Sequence, residues 1–236
     1  AFREREKINE IMEETCGARL TMNYYVPGGL MADLHPDFQK KVKEFIVLFK
    51  RKIDEYDELV TGNIIFINRM KGVGFLSKED AISYGCSGPA ARGSGVNCDI
   101  RKLYPYAVYD KVQFDEILET GCDSLARYMV RIREMKQSVR IIEQLIDNIP
   151  EGDFQAKTKA VLKLPKGEFY TRVETARGEL GVYIVSEGAT TPYRIKFRSP
   201  GFSNLSALDH MARGSKLGDL VAMMGTLDLV IPDIDR

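Results

Sequence analysis

The sequence has no tryptophan, only two histidines and no Cys-x-x-Cys pair. Its cysteines are scattered along the chain, at Cys16, Cys86, Cys98 and Cys122. This scatter argues against a disulfide framework and against a zinc site, so we expect all four thiols to be reduced and structural. His35 and His210 each lack a second histidine or a cysteine at ligand spacing. The residues therefore predict no metal site in this chain.

Long apolar runs and a net charge are also missing. The longest apolar runs, such as the one between Asn63 and Asn68, fall far short of the roughly 20 residues that a membrane-spanning helix needs. We therefore predict no spanning segment. The 34 basic residues balance the 34 acidic ones, so no global positive field favours a nucleic-acid partner. Gly93-Ser94-Gly95 lacks the third glycine of a dinucleotide-binding loop, and nucleotide binding is not indicated either.

Helical periodicity is the main signal that the sequence does contain. The composition, with 44% hydrophobic and 29% charged residues, is typical of a globular protein. Apolar residues three or four positions apart predict three longer helices, at Phe2–Met12, Pro36–Tyr56 and Phe114–Ile149. We expect the third to be the spine of the fold, packed as in a helix bundle. Shorter helices are predicted at Lys78–Ser83, Ser203–Asp209 and Lys216–Met224, and Gly62–Arg69 fits either a strand or a helix.

The remaining segments predict loops and strands. Gly85–Gly95 is so rich in glycine and small residues that we expect a loop whose backbone packs closely against a neighbour. Alternation of apolar and polar residues predicts a small antiparallel sheet of three strands, at Glu168–Thr175, Gly181–Ser186 and Tyr193–Phe197. Thr226–Ile231 is expected to be a last extended segment.

Together these elements predict a single helix-rich α+β domain. It comprises a helical part at residues 1–163, a small β region at residues 166–198 and a C-terminal tail at residues 226–236. The first residues lack an initiator methionine and already have a helical pattern without an N-cap. We therefore expect this chain to be an N-terminally truncated piece of a longer one.

Two segments have more than one functional interpretation. Arg177 lies in a turn between two predicted strands. It is either part of an ordinary charged hairpin rim or an arginine whose guanidinium projects into a cleft and holds a polar ligand. The tail Asp228–Arg236 interleaves acids with aliphatic residues. It fits a frayed terminus, or a wall where carboxylates stand beside an apolar surface, as a quinone slot requires. The residues alone leave both choices open.

Several motifs, taken together and in order, resemble one family. They are Ala1-Phe2-Arg3-Glu4-Arg5-Glu6-Lys7, Gly17-Ala18-Arg19, Pro27-Gly28-Gly29, Gly88-Pro89-x-x-Arg92-Gly93-Ser94-Gly95-Val96, Asp99-Ile100-Arg101-Lys102, Glu174-x-x-Arg177-Gly178-Glu179-Leu180-Gly181, Pro192-Tyr193-Arg194, Pro200-Gly201-Phe202 and Asp235-Arg236. Over the whole length the chain resembles the D subunit of respiratory NADH-quinone oxidoreductase, complex I. The resemblance implies a fold related to the large subunit of nickel-iron hydrogenases, with a helical core and a small antiparallel sheet near the C-terminus.

The resemblance also implies a role. The D subunit would help to form the chamber where quinone is reduced, next to the terminal iron-sulfur cluster of a partner subunit, in an enzyme that couples electron transfer to proton translocation. The chamber candidates are Arg177, Asp228, Val230, Asp233 and Arg236. The candidates for facing the cluster or a subunit interface are Arg92, Gly93, Ser94 and Gly95. The implied partners are the iron-sulfur subunit, the membrane arm and other complex I subunits, at the cytoplasmic side of the inner membrane.

The tail distinguishes this chain from a hydrogenase. Hydrogenase large subunits end in Asp-Pro-Cys-x-x-Cys, and the comparison places Val230 and Asp233 where the two cysteines would be. Valine cannot ligate a metal, and one carboxylate is a poor replacement for thiolates at a soft site. The resemblance therefore implies that this chain binds no nickel or other metal, and that the former metal pocket serves the quinone.

One departure limits the expected activity. The histidine and tyrosine that contact the quinone headgroup in this family lie upstream of Ala1, and neither His35 nor His210 matches them. We therefore expect the isolated chain to be inactive. Two alternatives remain: the corresponding subunit of a related complex that takes electrons from ferredoxin or another donor, and a structural scaffold only.

Overall fold

The computed structural model describes residues 1–159 and 161–235. The chain forms two compact units. The first comprises Ala1–Glu55 and Ser138–Leu162, and the second comprises Tyr56–Gln137 and Lys163–Arg236. The prediction that the whole chain is one hydrogenase-like domain stays a prediction.

Along the described chain, helices outnumber strands. The helices are α1 (Phe2–Cys16), α2 (Phe38–Tyr56), α3 (Ile64–Met70), α4 (Lys78–Ser83), α5 (Gly88–Arg92), α6 (Ile100–Leu103), α7 (Ser124–Leu145), α8 (Pro200–Ser206), α9 (Leu208–Ala212), α10 (Leu217–Leu227) and α11 (Ile231–Ile234). A π-helical turn at Asp57–Thr61 follows α2, and a 3-10 turn occupies Tyr109–Lys111. The strands are β1 (Tyr25–Val26), β2 (Gly29–Leu30), β3 (Gly167–Thr175), β4 (Gly178–Ser186) and β5 (Arg194–Arg198). This composition confirms the predicted helix-rich α+β class. Among the described residues, no helix is both long and apolar enough to span a bilayer.

The first unit contains α1, α2, the β1–β2 hairpin and the C-terminal part of α7. Lysines on the polar side of α2 pair with acids of the same unit: Lys41 with Glu14, Lys43 with Asp147 and Lys50 with Glu143. Each of these partly exposed pairs contributes at most about 1 kcal/mol. The apolar side of α2 buries Ile46 and Ile53. The helix is therefore held mainly by its apolar side.

The second unit contains the predicted three-stranded sheet, which the structure confirms. The strands are antiparallel in the order β3-β4-β5. Thr175 pairs with Gly178, so the β3–β4 hairpin closes through a turn of Ala176 and Arg177, and Gly181 pairs with Arg198 of β5. A hydrophobic core of this unit is built from residues before and after the sheet: Leu76, Ala81, Cys86, Ala90, Ala91, Ala207, Met211, Met223 and Leu227. Segments far apart in sequence thus meet around this core.

The prediction that Gly85–Gly95 is entirely a loop is wrong. Residues Gly88–Arg92 form the buried helix α5, with Pro89 in its first turn. Proline is favoured there because the first helical N–H groups have no intrahelical partner. Ala90 and Ala91 have almost no exposed surface. The small residues therefore permit a completely buried helix, in addition to a close backbone approach.

The long helix is shorter than the predicted Phe114–Ile149. It begins at Ser124 and ends at Leu145. Cys122 has a left-handed backbone with φ of 58°, its N–H donates to the carbonyl of Gly93, and its carbonyl accepts from the N–H of Leu76. Asp123 Oδ1 then accepts from the N–H of Ala126 at 2.8 Å. The residues just before Ser124 therefore bond to distant segments of the chain and do not form helix.

The tail also differs from the extended segment predicted at Thr226–Ile231. Helix α10 continues to Leu227, and Asp228 ends it in a left-handed conformation with φ of 55°. Residues Ile231–Ile234 form the short helix α11. Alternation of acids and aliphatic residues was too short a pattern to distinguish a strand from two helical turns.

Gly88 provides a test of the packing around α5. It has φ of 64°, and a Cβ atom there would lie 2.5 Å from the carbonyl oxygen of Arg177 and from Cα of Gly178. We expect Gly88→Ala to lower the free energy of unfolding by about 2–4 kcal/mol, because strain at positive φ adds to a backbone clash. Gly85→Ala is the matched control, since Gly85 has φ of 65° but nothing within 4 Å of the added Cβ. If urea titrations showed the same loss of unfolding free energy in both variants, the close approach of Gly88 to the hairpin turn would be contradicted.

Candidate functional site

The site is organised around Ser87, at the N-terminus of α5. Ser87 Oγ accepts from the N–H of Glu179 at 3.1 Å and from Nη1 of Arg198 at 3.0 Å. The N–H of Ser87 donates to Asn204 Oδ1 at 3.2 Å, and Asn204 Nδ2 donates to the carbonyl of Arg177 at 3.4 Å. The hairpin, α8 and α5 are thereby joined, and the backbone of Arg177 is held in place.

The side chain of Arg177 reaches the tail. Its Nε donates to the carbonyl oxygen of Asp228 at 3.1 Å, and its Nη2 lies 3.5 Å from Asp228 Oδ1. The side chains of Arg177 and Asp228 are 33% and 41% exposed. The left-handed backbone at Asp228 ends α10, so the chain turns at the point of contact. The structure thus brings together two of the predicted chamber residues as a partly exposed ion pair.

The other chamber candidates are placed differently. Asp233 Oδ2 accepts from Ser199 Oγ at 2.7 Å and from the N–H of Gly201 at 3.2 Å, which anchors the tail to the start of α8. Val230 is half-buried immediately before α11. Arg236 lies outside the described residues. That Val230, Asp233 and Arg236 line a chamber stays a prediction.

Arg92 is the centre of a buried ion cluster. Its guanidinium donates through Nε to Glu134 Oε1 and through Nη1 to Glu174 Oε1, each at 2.8 Å. Glu174 Oε2 also accepts from the N–H of Ile100 at 3.2 Å. The Arg92 and Glu174 side chains are 2% and 4% exposed. This cluster links α5, α7 and the end of β3 that leads into the hairpin turn.

Burial and charge act in opposite directions in this cluster. Burial raises the pKa of Glu134 and of Glu174, and the neighbouring Arg92 only partly offsets this effect. Burial also disfavours the charged form of Arg92, but the two carboxylates outweigh it and the pKa of Arg92 is raised. We conclude that Arg92 stays a cation, and that both carboxylates depend on it for their charge.

The neighbours of Arg92 are also packed inside the second unit. Ser94 Oγ donates to the carbonyl of Leu76 at 2.7 Å, and Ser94 is 2% exposed. A Cβ atom at Gly93 would lie 2.8 Å from Cγ of Arg127. Gly95 has φ of 71°. That Arg92, Gly93, Ser94 and Gly95 face a cluster or a subunit interface stays a prediction.

Sequence reasoning missed three charged residues of α7. Arg127, Arg131 and Glu134 are spaced four and three positions apart and therefore lie on one face of the helix. The apolar spacing that predicted this helix gave no weight to its charged residues. A run of charges at helical spacing was the signal that could have located them.

Arg127 is a fully buried cation. Its Nε donates to Thr226 Oγ1 at 3.2 Å, and its Nη2 donates to the carbonyl of Gly74 at 2.8 Å and to Ser124 Oγ at 3.0 Å. Among the described residues, its Nη1 has no hydrogen-bond partner. Burial lowers the pKa of Arg127 to about 10. It therefore links α7 to the C-terminal end of α10 through neutral acceptors.

All four cysteines are free thiols in the structure. Burial raises the pKa of Cys86 and of Cys98 to about 11, which is typical of unreactive structural thiols. Within residues 1–159 and 161–235, no group of three His, Cys, Asp or Glu side chains could hold a metal ion.

The chain matches the family model described as respiratory-chain NADH dehydrogenase, 49 kDa subunit, over residues 1–164 and 154–236. It belongs to this family. The match confirms the resemblance that the sequence motifs indicated. The hairpin arginine and the tail aspartate are therefore residues of a 49 kDa subunit.

The chain is similar to two kinds of curated relative. The chain is 56% identical over 235 residues to the C/D subunit of NADH-quinone oxidoreductase from Bacteroides thetaiotaomicron, and covers 44% of it. It is 46% identical over 235 residues to the D 2 subunit of NADH-quinone oxidoreductase from Solibacter usitatus, and covers 64% of it. All of this chain is matched in both comparisons. The chain thus spans about half the length of the curated relatives it matches.

Proposed function

We propose that this chain forms part of the quinone-reduction chamber of an NADH-quinone oxidoreductase, as a portion of its D subunit. In this proposal the chamber lies next to the terminal iron-sulfur cluster of a partner subunit, and quinone reduction is coupled to proton translocation. The complex has a membrane arm, and this chain is peripheral, at the cytoplasmic side of the inner membrane. The names of the relatives refer to NADH, which favours that donor over ferredoxin.

The contact between Arg177 and Asp228 carries the proposal. It joins the hairpin turn to the tail, and neither side chain is buried. Exposed apolar side chains flank Asp228 in sequence, with Met224 four residues before it and Ile231 three residues after it. A polar pair whose neighbours in sequence include exposed apolar side chains offers the two kinds of group that a quinone headgroup and its tail require. These side chains support a quinone as the substrate.

The chemistry of the proposed site can be divided between the two side chains. The guanidinium of Arg177 can donate hydrogen bonds to a headgroup oxygen, since only part of it is engaged by Asp228. The carboxylate of Asp228 can accept a hydrogen bond or a proton at Oδ1 and Oδ2. Electrons come from the cluster of the partner subunit, and this chain supplies position and charge.

Asp228→Asn in the intact complex tests this proposal. The amide keeps the shape of the side chain and removes its charge. Because the pair is partly exposed, we expect NADH-dependent quinone reduction to fall by roughly three- to tenfold. Electron transfer from NADH to a water-soluble artificial acceptor, which bypasses the quinone site, should be unchanged.

Asp209→Asn is the matched control. Asp209 forms an exposed pair with Arg213 on α9, with side chains 78% and 77% exposed. Its variant should keep both activities. Unaltered quinone reduction and inhibitor sensitivity in the assembled Asp228→Asn complex would contradict the proposed chamber.

A further inference from the structure

The position of Arg131 on α7 follows from its neighbours on the same helix face. One turn earlier, Arg127 donates to Thr226 Oγ1 at 3.2 Å. Thr226 is two residues before Asp228. The N-terminal side of Arg131 therefore lies next to the end of α10, where the chain turns into the tail.

The C-terminal side of Arg131 is located in the same way. Glu134, three residues later, shares the guanidinium of Arg92 with Glu174. Glu174 lies on β3, three residues before Arg177. Arg131 is thus bracketed between the tail and the hairpin, at the level where Arg177 meets Asp228.

Among the residues that the structure describes, none forms an ion pair with the cationic side chain of Arg131. Its one hydrogen bond runs from Nη1 to the carbonyl of Arg127 at 3.0 Å, and the residue is half-buried. Across the described residues, no carboxylate lies within salt-bridge distance of it. Burial is the main cause that lowers the pKa of Arg131, while Asp228 is the first of the charges that oppose it.

The charges near Arg131 leave the site positive. Arg177 and Arg92 also lower the pKa of Arg131, and Glu134 opposes them together with Asp228. Glu134 is already engaged by Arg92. The group as a whole consists of four guanidinium groups, on Arg92, Arg127, Arg131 and Arg177, and three carboxylates, on Glu134, Glu174 and Asp228. With all of them ionised, it carries one excess positive charge in a partly desolvated place.

We propose that Arg131 holds the negative charge that a quinone headgroup acquires when it accepts electrons. The inference rests on the proposed function. Reduction of a quinone to a quinol takes two electrons, supplied by the iron-sulfur cluster of the partner subunit, and two protons, and the ring oxygens are negative until the protons arrive. A fixed guanidinium with no carboxylate partner stabilises such charge with little reorganisation.

The test uses two quinones of similar size and different charge, bound to the intact complex. One is a hydroxynaphthoquinone, an anion at neutral pH, and the other is the neutral naphthoquinone. We expect the wild-type complex to bind the anion on the order of tenfold more tightly, measured by competition with substrate quinone, and Arg131→Gln to lose this preference. The matched control is Arg133→Gln on the same helix, whose side chain is 51% exposed and pairs with Glu119.

Arg131→His separates a charge effect from a structural one. The imidazole gains its charge as the pH falls through the histidine pKa. Over a pH range in which the hydroxynaphthoquinone stays an anion, the preference should therefore be present at the lower end and disappear at the upper end. The charged groups that face this position are Asp228, Glu134, Arg92, Arg127 and Arg177. The wild-type preference should not change over the same pH range.

The outcomes distinguish the two proposals. A preference for the anion that survives in Arg131→Gln, or that does not depend on pH in Arg131→His, would overturn the role of Arg131 and leave the quinone chamber intact. Failure of both naphthoquinones to compete with substrate quinone at the wild-type complex would count against the proposed chamber itself, and with it against the inference.

Discussion

Replacing Arg92 by methionine is expected to lower the free energy of unfolding of the second unit by about 3–5 kcal/mol, because Glu134 and Glu174 lose the guanidinium that they share. Glu174 is 4% exposed and Glu134 is 18% exposed, so water cannot compensate for the guanidinium. The methionine side chain fills similar space, which limits the contribution of a cavity. The change in unfolding free energy is measured by urea titration of the chain, with a signal that reports on the unfolding of the second unit.

The pH dependence of this loss gives an independent check. Without Arg92, the pKa values of Glu134 and Glu174 should rise further above their unfolded values, since burial already raises both. When the pKa of a carboxyl is higher in the folded than in the unfolded state, ionisation of that carboxyl above its unfolded-state pKa destabilises the fold. The difference between wild type and variant should therefore be largest at neutral pH and shrink as the carboxyls are protonated in acid.

Arg213→Met is the control for the same chemical change. Its pair with Asp209 is almost fully exposed, and such pairs contribute about 0–1 kcal/mol. The expected change in the free energy of unfolding is close to zero at every pH. A loss in Arg92→Met as small as that of the control would show that Glu134 and Glu174 do not need their partner.

Arg177→Ala in the intact complex is expected to reduce quinone reductase activity by about 10- to 100-fold, since it removes the donors and the positive charge from the hairpin turn. The change should spare the fold, because the hairpin is held through the carbonyl of Arg177 and through Ser87. Within the described part of the chain, the polar contacts of the lost side chain are with Asp228. The comparison of quinone reduction with electron transfer to an artificial acceptor, in membranes with equal complex content, measures the effect.

Arg194→Ala provides the control on the same sheet. Arg194 is an exposed residue at the start of β5, and its removal deletes an equal charge away from the tail. Its variant should retain quinone reduction. If Arg177→Ala kept wild-type quinone reduction as well, the pair with Asp228 would be only a structural contact.

Local patterns predicted much of the fold. Helix α4 occupies the predicted Lys78–Ser83, and the three strands of the sheet fall where the alternation of residues placed them. Both patterns depend on neighbours in sequence, which is why they can be read without a structure. The helix-rich α+β class followed from these elements.

The errors occur where distant contacts decide the conformation. Cys122 interrupts the predicted long helix because its backbone bonds to Gly93 and Leu76. Helix α5 forms because alanines allow it to be buried in a core that the sequence does not display. No local pattern contains these contacts.

The candidate site was predicted in part, and through the resemblance rather than through residue chemistry. The resemblance selected Arg177 and Asp228, which the structure joins. It did not select Arg127 or Arg131, because a charge on a helix is usually exposed and its burial becomes visible only in three dimensions. The spacing of these charges is visible in the sequence, but their burial depends on the packing of α7.

The most direct measurement of the central claim is photoaffinity labelling of the intact complex with a photoreactive quinone, followed by identification of the labelled peptides. The account predicts label on the hairpin turn around Arg177 and on residues 228–235, which excess substrate quinone or a quinone-site inhibitor prevents. Competable label that is confined to other subunits, or to parts of this chain away from the hairpin and the tail, would contradict it.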